Sequence, residues 1–321
     1  MTKNSHLIFA VTAALLAYML GLVYFSNTHA ILIGSITLLV VLWTNEALPL
    51  GVVSLLPMIL FPSFGLLTTK QVASSYANPI IFLFLGGFML AIATQKTGLH
   101  RVIAHKILKT FPATPRGIIF SMAITSALLS AFLSNTTTAL LLISIALFLT
   151  EDKTLKIRLV LAVAYGSSIG GIITPIGTPP NLILLGFFES QSLAPIGFMQ
   201  WIVMTLPLAI VMLIIIGLVL SHGVETCHVA DFQHTDRMNK AQKQLSLILI
   251  TMVLLLLVNS PVKPFYDGLG ISEKGILLGF GLLMFIPFFG FLEWEDTKKI
   301  PYEIIFLFGA GFSIAKAFLD T

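Results

Sequence analysis

Residues 131–139 read Ala-Phe-Leu-Ser-Asn-Thr-Thr-Thr-Ala, a polar knot inside a stretch that is otherwise apolar from Gly117 to Leu149. Ser134 to Thr138 are too polar for an idle lipid-facing helix, yet each flank is apolar over half to one full membrane-helix length. A helical hairpin whose tip lies inside protein reconciles the two. Ser, Asn and Thr at such a tip can cap the second helix, whose free N–H groups and positive dipole end then face an anion. The same hydroxyl and amide oxygens, with carbonyls from the end of the first helix, can replace water around a small cation.

Composition sets the environment of this knot. Of 321 residues, 57% are hydrophobic and 10% charged, which predicts an all-α polytopic membrane protein. The formal charge of +4 does not point to nucleic acid, because no basic run with interleaved aromatics occurs and the positive residues fall in short loops between apolar spans. Cys227 is the only cysteine, so there is no disulfide framework and no thiol metal cluster, and the seven histidines lack ligand spacing. No cofactor is expected.

The apolar run 7–25 is longer than a signal-peptide core and predicts an uncleaved first helix. Ser26-Asn27-Thr28 repeats the central tripeptide in what reads as a short loop without hairpin context. Spans are predicted at 31–43, 48–61 and 79–95, then a basic stretch with Arg101, Lys106, Lys109 and Arg116. After the hairpin the chain is charged again from Glu151 to Arg158, so both hairpin ends are expected on one side and the hairpin re-enters. The run 159–188 is broken by Thr174-Pro175-Ile176-Gly177-Thr178-Pro179-Pro180-Asn181, which cannot sit in a continuous helix. Two half-helices joined by an unwound loop at membrane depth are predicted, and such backbone must line a cavity. Spans at 201–221, 245–259, 275–292 and 304–321 follow, with 222–244 read as a cytoplasmic linker. With the N-terminus inside, fourteen lysines and arginines are cytoplasmic, three are external (Lys70, Lys263, Lys274) and Lys316 lies within a span.

The chain also repeats itself. Residues 81–97, IFLFLGGFMLAIATQKT, match residues 305–321, IFLFGAGFSIAKAFLDT, at nine of seventeen positions without a gap. Upstream, FPSFGLL at 61–67 resembles IPFFGFL at 286–292. In the predicted topology the copies run in opposite directions, an inverted repeat of the kind that places substrate and coupling ions at the repeat interface. Thr321 matches Thr97, so the expectation is a second repeat that stops before a second hairpin or broken helix. Residues 1–321 alone are then expected not to transport.

Ser134-Asn135-Thr136 on a hairpin, followed by Gly177-Thr178-Pro179-Pro180-Asn181, together with Glu46-Ala47-Leu48-Pro49-Leu50 and Ser167-Ser168-Ile169-Gly170-Gly171, resembles the divalent anion:sodium symporter family of the ion transporter superfamily. The resemblance implies a sodium-coupled carrier of C4-dicarboxylates, citrate or sulfate, a homodimer through its scaffold, with a transport domain that moves as an elevator. Carried over by motif, Ser130, Ser134, Asn135 and the backbone at Gly177 would hold sodium, and Asn135, Thr136, Thr178 and Pro179 would meet the anion. It assigns 1–115 to scaffold helices, 116–221 to half of the transport domain and 245–321 to the start of the second repeat. The setting would be a bacterial inner membrane with the N-terminus in the cytoplasm.

Other readings stay open at this point. Anion exchange, another member of the superfamily, or a non-transporting scaffold fragment would use the same residues. Ser134 to Thr138 could be helix–helix glue, Glu46 a loop acid, and Lys316 a snorkelling lysine. An intramembrane hydrolase would need a base beside Ser134, and no span offers a paired histidine or aspartate.

Overall fold

The computed structural model describes residues 3–190, 193–194, 196–224, 237–261 and 265–321. Most of the linker expected at 222–244 lies outside the described residues, as do Cys227 and Lys263. Among the described residues the regular elements are helical, and seven helical stretches are long and apolar enough to cross a membrane: Lys3–Tyr24, Asn27–Asn45, Thr69–Thr97, Lys153–Ile173, Phe198–Ser221, Lys240–Asn259 and Tyr302–Asp320. The protein is therefore a polytopic helical membrane protein, as its hydropathy requires.

The helices fall into two compact units, one drawn from Met1–Phe82, Ile183–Ala194 and Pro301–Thr321, the other from Leu83–Leu182 and Pro195–Ile300. In the first unit, α1 (Lys3–Tyr24) and α2 (Asn27–Asn45) form an antiparallel pair. Gly21 lies against Ala30 and Gly34 against Tyr18, and His6 exchanges hydrogen bonds with Asn45 at the far end. Ser26 caps α2, so the Ser26-Asn27-Thr28 triplet does sit at a helical hairpin turn, contrary to expectation. A short Ser-Asn-Thr run caps a helix wherever the chain turns, because the serine oxygen takes one of the orphan N–H groups.

The span expected at 48–61 is two short helices, α3 (Leu50–Val53) and α4 (Pro57–Ser63). Pro57 has no N–H to continue the ladder of α3 and starts α4 instead. Then come α5 (Thr69–Tyr76) and α6 (Pro79–Thr97), the latter entering the second unit after Phe82. The first unit is closed by α15 (Tyr302–Asp320), whose Gly309 admits the ring of Tyr76 and whose Ala317 joins a core with Phe61, Leu66 and Val72.

The second unit continues with α7 (Leu99–Leu108), α8 (Pro115–Ser130), α9 (Asn135–Phe148), α10 (Lys153–Ile173) and α11 (Pro179–Ser190), of which only the first residues belong to this unit. It ends with α12 (Phe198–Ser221), α13 (Lys240–Asn259) and α14 (Glu273–Leu283). The expected span 275–292 is helical only to Leu283; Pro287 bars continuation, Phe288 takes φ 78°, and the N–H groups of Phe291 and Leu292 both return to the Met284 carbonyl. A 3-10 helix, Trp294–Lys299, follows.

Close backbone approach organises this unit. A Cβ on Gly166 would stand 2.5 Å from the Ala123 carbonyl oxygen, and Gly170 meets the Ala127 carbonyl more closely still, so no side chain fits at either position. One turn on, Thr174 donates to the Ala131 carbonyl. Contacts at 123, 127 and 131 advance with those at 166, 170 and 174, so α8 and α10 run parallel. The intervening α9 must bring the chain back, and the hairpin starts and ends at the same end of α10. At that end Arg158 donates to the Leu220 and His222 carbonyls, holding the C-terminus of α12 beside the start of α10.

Candidate functional site

The hairpin tip is a four-residue turn between α8 and α9. Ser134 has extended backbone, accepts from Thr137 N at 3.2 Å and donates to Thr137 Oγ1 at 2.8 Å, which ends one helix and starts the next. Ser130, fully buried, donates to Asn135 Oδ1 at 2.6 Å. Its proton is thereby committed, and the lone pairs of Ser130 and Asn135 are left as neutral oxygen donors.

The break between α10 and α11 is built by complementary devices. Pro179 and Pro180 occupy the first positions of α11, where a missing N–H costs nothing. The end of α10 leaves carbonyls that its own helix cannot satisfy. Buried Asn181 donates to Gly171 O at 2.7 Å and to Thr174 O at 2.8 Å. From α12, Trp201 Nε1 donates to Ile172 O at 2.9 Å and Thr205 Oγ1 to Ile173 O at 3.1 Å. Four consecutive carbonyls, 171 to 174, thus have side-chain partners, and the loop is held open without strain on the ladder.

Gly171 is where tip and loop converge. A Cβ there would lie 2.9 Å from Asn135 Oδ1, 3.4 Å from Asn135 Nδ2 and 3.2 Å from Thr178 Cβ, while a Cβ on Gly177 would lie 2.6 Å from the Gly171 carbonyl oxygen. Four residues singled out in the sequence, Ser130, Asn135, Gly177 and Thr178, therefore meet in one place. Ser134 belongs to the cap one residue away. Thr136 is exposed on the first turn of α9 and Pro179 is half-buried at the start of α11; neither is among the nearest atoms to a Cβ at Gly171 or Gly177.

Among the described residues no group of three or more His, Cys, Asp or Glu could hold a metal ion. A cation placed here would meet hydroxyl, amide and carbonyl oxygens, a neutral set suited to a weakly held alkali ion. An anion placed here would meet the start of α9 with its dipole end and the amide of Asn135. Sequence reasoning singled out the loop but did not foresee Trp201 and Thr205, which act from some thirty residues away. It quoted Gly171 and Asn181 as parts of motifs, without seeing that tip and loop converge at Gly171 and that Asn181 clamps two carbonyls.

The chain is 30% identical over 312 aligned residues to the sodium-dependent dicarboxylate transporter SdcS of Staphylococcus aureus strains USA300, NCTC 8325 / PS 47 and COL. The alignment covers 87% of this chain and 60% of each relative, so the chain spans about three fifths of the length of the curated relatives it matches. The family profile described as "Citrate transporter" matches residues 38–321, nearly the whole chain, and with it the hairpin, the broken helix and both copies of the internal repeat: the chain belongs to the citrate transporter family, a family of transporters and not of enzymes.

Proposed function

We propose that this chain serves a sodium-coupled secondary transporter that carries a small divalent anion, a C4-dicarboxylate, citrate or sulfate, across the membrane. One observation carries the reading: Asn135 from the hairpin tip and Gly177 and Thr178 from the unwound loop meet at Gly171, where a side chain has no room. Re-entrant tip and broken helix are the two devices by which helical membrane proteins expose unpaired backbone and polar oxygens to an ion at mid-membrane. The α9 helix has 14 residues and is about 21 Å long, short of the roughly 30 Å hydrocarbon core, so its tip stops within the membrane when its far end is at the surface.

In this reading sodium is held by Ser130, Ser134, Asn135 and the backbone at Gly177. The anion is met by Asn135, Thr136, Thr178 and Pro179. Because the cation completes a corner on which Asn135 also faces the anion, loading one favours the other, which is coupling without a titrating carboxylate. Residues 1–115 and 245–321 supply scaffold helices, through which a homodimer forms, and 116–221 supply a moving half of the transport domain in an elevator cycle. The membrane is a bacterial inner membrane. The named activity of SdcS, sodium-dependent dicarboxylate transport, supports the symport reading over exchange.

The test is uptake of labelled succinate into vesicles carrying a protein that holds these residues within the full length of the curated relatives, with and without an inward sodium gradient. Uptake is expected to rise with the gradient. Asn135→Ala is expected to abolish the sodium dependence while membrane insertion is retained. Uptake by Asn135→Ala that still follows sodium would remove Asn135 from the cation site.

A further inference from the structure

Away from the hairpin tip, two side-chain bridges share an unusual construction. Gln71 is the third residue of α5: its Oε1 accepts from Thr68 N at 2.8 Å in a capping box, and its Nε2 donates to Asp320 Oδ2 at 3.0 Å in the last turn of α15. Asp296 is the third residue of the 3-10 helix. Its Oδ2 accepts from Glu293 N at 3.0 Å, again a capping box, and from Lys96 Nζ at 2.6 Å in the last turn of α6. Each bridge lies within one compact unit.

The internal repeat relates the four residues. Extending the alignment of 61–67 with 286–292 pairs Thr68 with Glu293 and Gln71 with Asp296, and the alignment of 81–97 with 305–321 pairs Lys96 with Asp320. The capping residue, the bridging residue and the bridged residue of one construction therefore fall on those of the other. The partners are crossed: the connector of the first copy holds the core helix of the second, and the connector of the second holds the core helix of the first. Crossed, reciprocal contacts are the signature of a two-fold relation, in which a contact between i and j implies its mate between j and i. Two unrelated bridges have no reason to share cap, register and exchange.

We propose that Gln71–Asp320 and Lys96–Asp296 are two copies of one latch, in which each repeat's connector fastens the last turn of the other repeat's core helix. In the topology read from the sequence the copies are inverted, which would put the two connectors at opposite membrane faces. The change of sign between Lys96 and Asp320 fits this placement, since lysine is favoured on the cytoplasmic side and Lys298 and Lys299 accompany Asp296 there. Lys96 also suits the C-terminal dipole end of α6, whereas Asp320 opposes that of α15 and is held by a neutral amide, which makes the ionic latch the firmer of the two. None of this depends on whether the chain transports.

Because the latches are equivalent, their chemistry is exchangeable, and exchange is the test. In the full chain, Lys96→Asp alone sets two carboxylates against each other and is expected to lower the thermal unfolding midpoint in detergent. Adding Asp296→Gln installs the glutamine–aspartate pair of the other latch and is expected to recover at least half of that loss. The reverse transplant, Asp320→Lys followed by Gln71→Asp, installs the ion pair and is expected to behave likewise. Recovery in neither pair overturns the equivalence. Independently of stability, Lys70→Cys and Lys298→Cys in a Cys227→Ser background are expected to be labelled by a membrane-impermeant maleimide from opposite sides. Labelling from one side overturns the inverted relation.

Discussion

Asn181 does at the level of one residue what the broken helix does at the level of the fold. Its amide gives both protons to backbone carbonyls, at 2.7 and 2.8 Å, in a buried setting where water cannot replace it. Removing a donor from a buried acceptor costs about 1–3 kcal/mol per orphaned group. Asn181→Ala is therefore expected to lower unfolding stability by about 2 kcal/mol or more, measured by denaturant titration in detergent. Asn181→Asp should not restore it, because an ionised carboxylate accepts and cannot donate. An Asn181→Asp variant as stable as the parent would mean that the carbonyls of Gly171 and Thr174 do not depend on that amide. Residues of this kind divide into those legible in the sequence and those not. Ser134 announces itself, since a serine between two apolar runs is a cap, and so do Pro179 and Pro180 as helix starters. Trp201 and Thr205 carry no such signal: both lie inside an apolar helix, and only the folded position of α12 aims them at the end of α10.

Among the elements, the hairpin is the most fully legible, because its polar tip and its charged flanks are both local features. The structure adds the direction of its arms. Parallel packing of α8 against α10, through Ala123 with Gly166 and Ala127 with Gly170, leaves α9 as the returning arm. Cysteines at Arg116 and Lys153, in a Cys227→Ser background, are accordingly expected to react with an impermeant maleimide from the same side, the cytoplasmic one. Reaction from opposite sides would mean that the hairpin crosses the membrane. The elements that mislead are those where average hydropathy hides a single proline. Residues 48–61 and 275–292 are each apolar enough for a span, yet Pro57 and Pro287 divide them, and where a helix stops short of a proline depends on which carbonyls find other donors. Ser26-Asn27-Thr28 errs in the other direction: its hairpin packs through Gly21 and Gly34, residues that as sequence look like ordinary membrane-helix glycines.

At the scale of the whole molecule, the division into two units was not legible, since each unit draws on segments far apart in the chain and no local pattern records which distant helices associate. The sidedness was. Several polar bonds near helix ends join segments that the lysine and arginine bias assigns to the lysine-rich side: His6 with Asn45 in the first unit, and Lys96 with Asp296, Thr97 with Gln242, Gln244 with Phe288 and Arg158 with His222 in the second. Gln71 with Asp320, Phe198 with Glu273 and Asn259 with Ile271 fall on the other. Within each unit, the folded contacts and the charge bias bear on topology from independent directions. There the contacts say which segments lie together, and the excess of basic residues predicts which face is cytoplasmic. Lys3→Cys in a Cys227→Ser background is expected to be protected from an impermeant maleimide in intact cells and to react once the membrane is opened. Asp267→Cys, in the exposed connection between α13 and α14, is expected to react in intact cells. The reverse pattern would place the lysine-rich face outside and turn the whole assignment over, latches included.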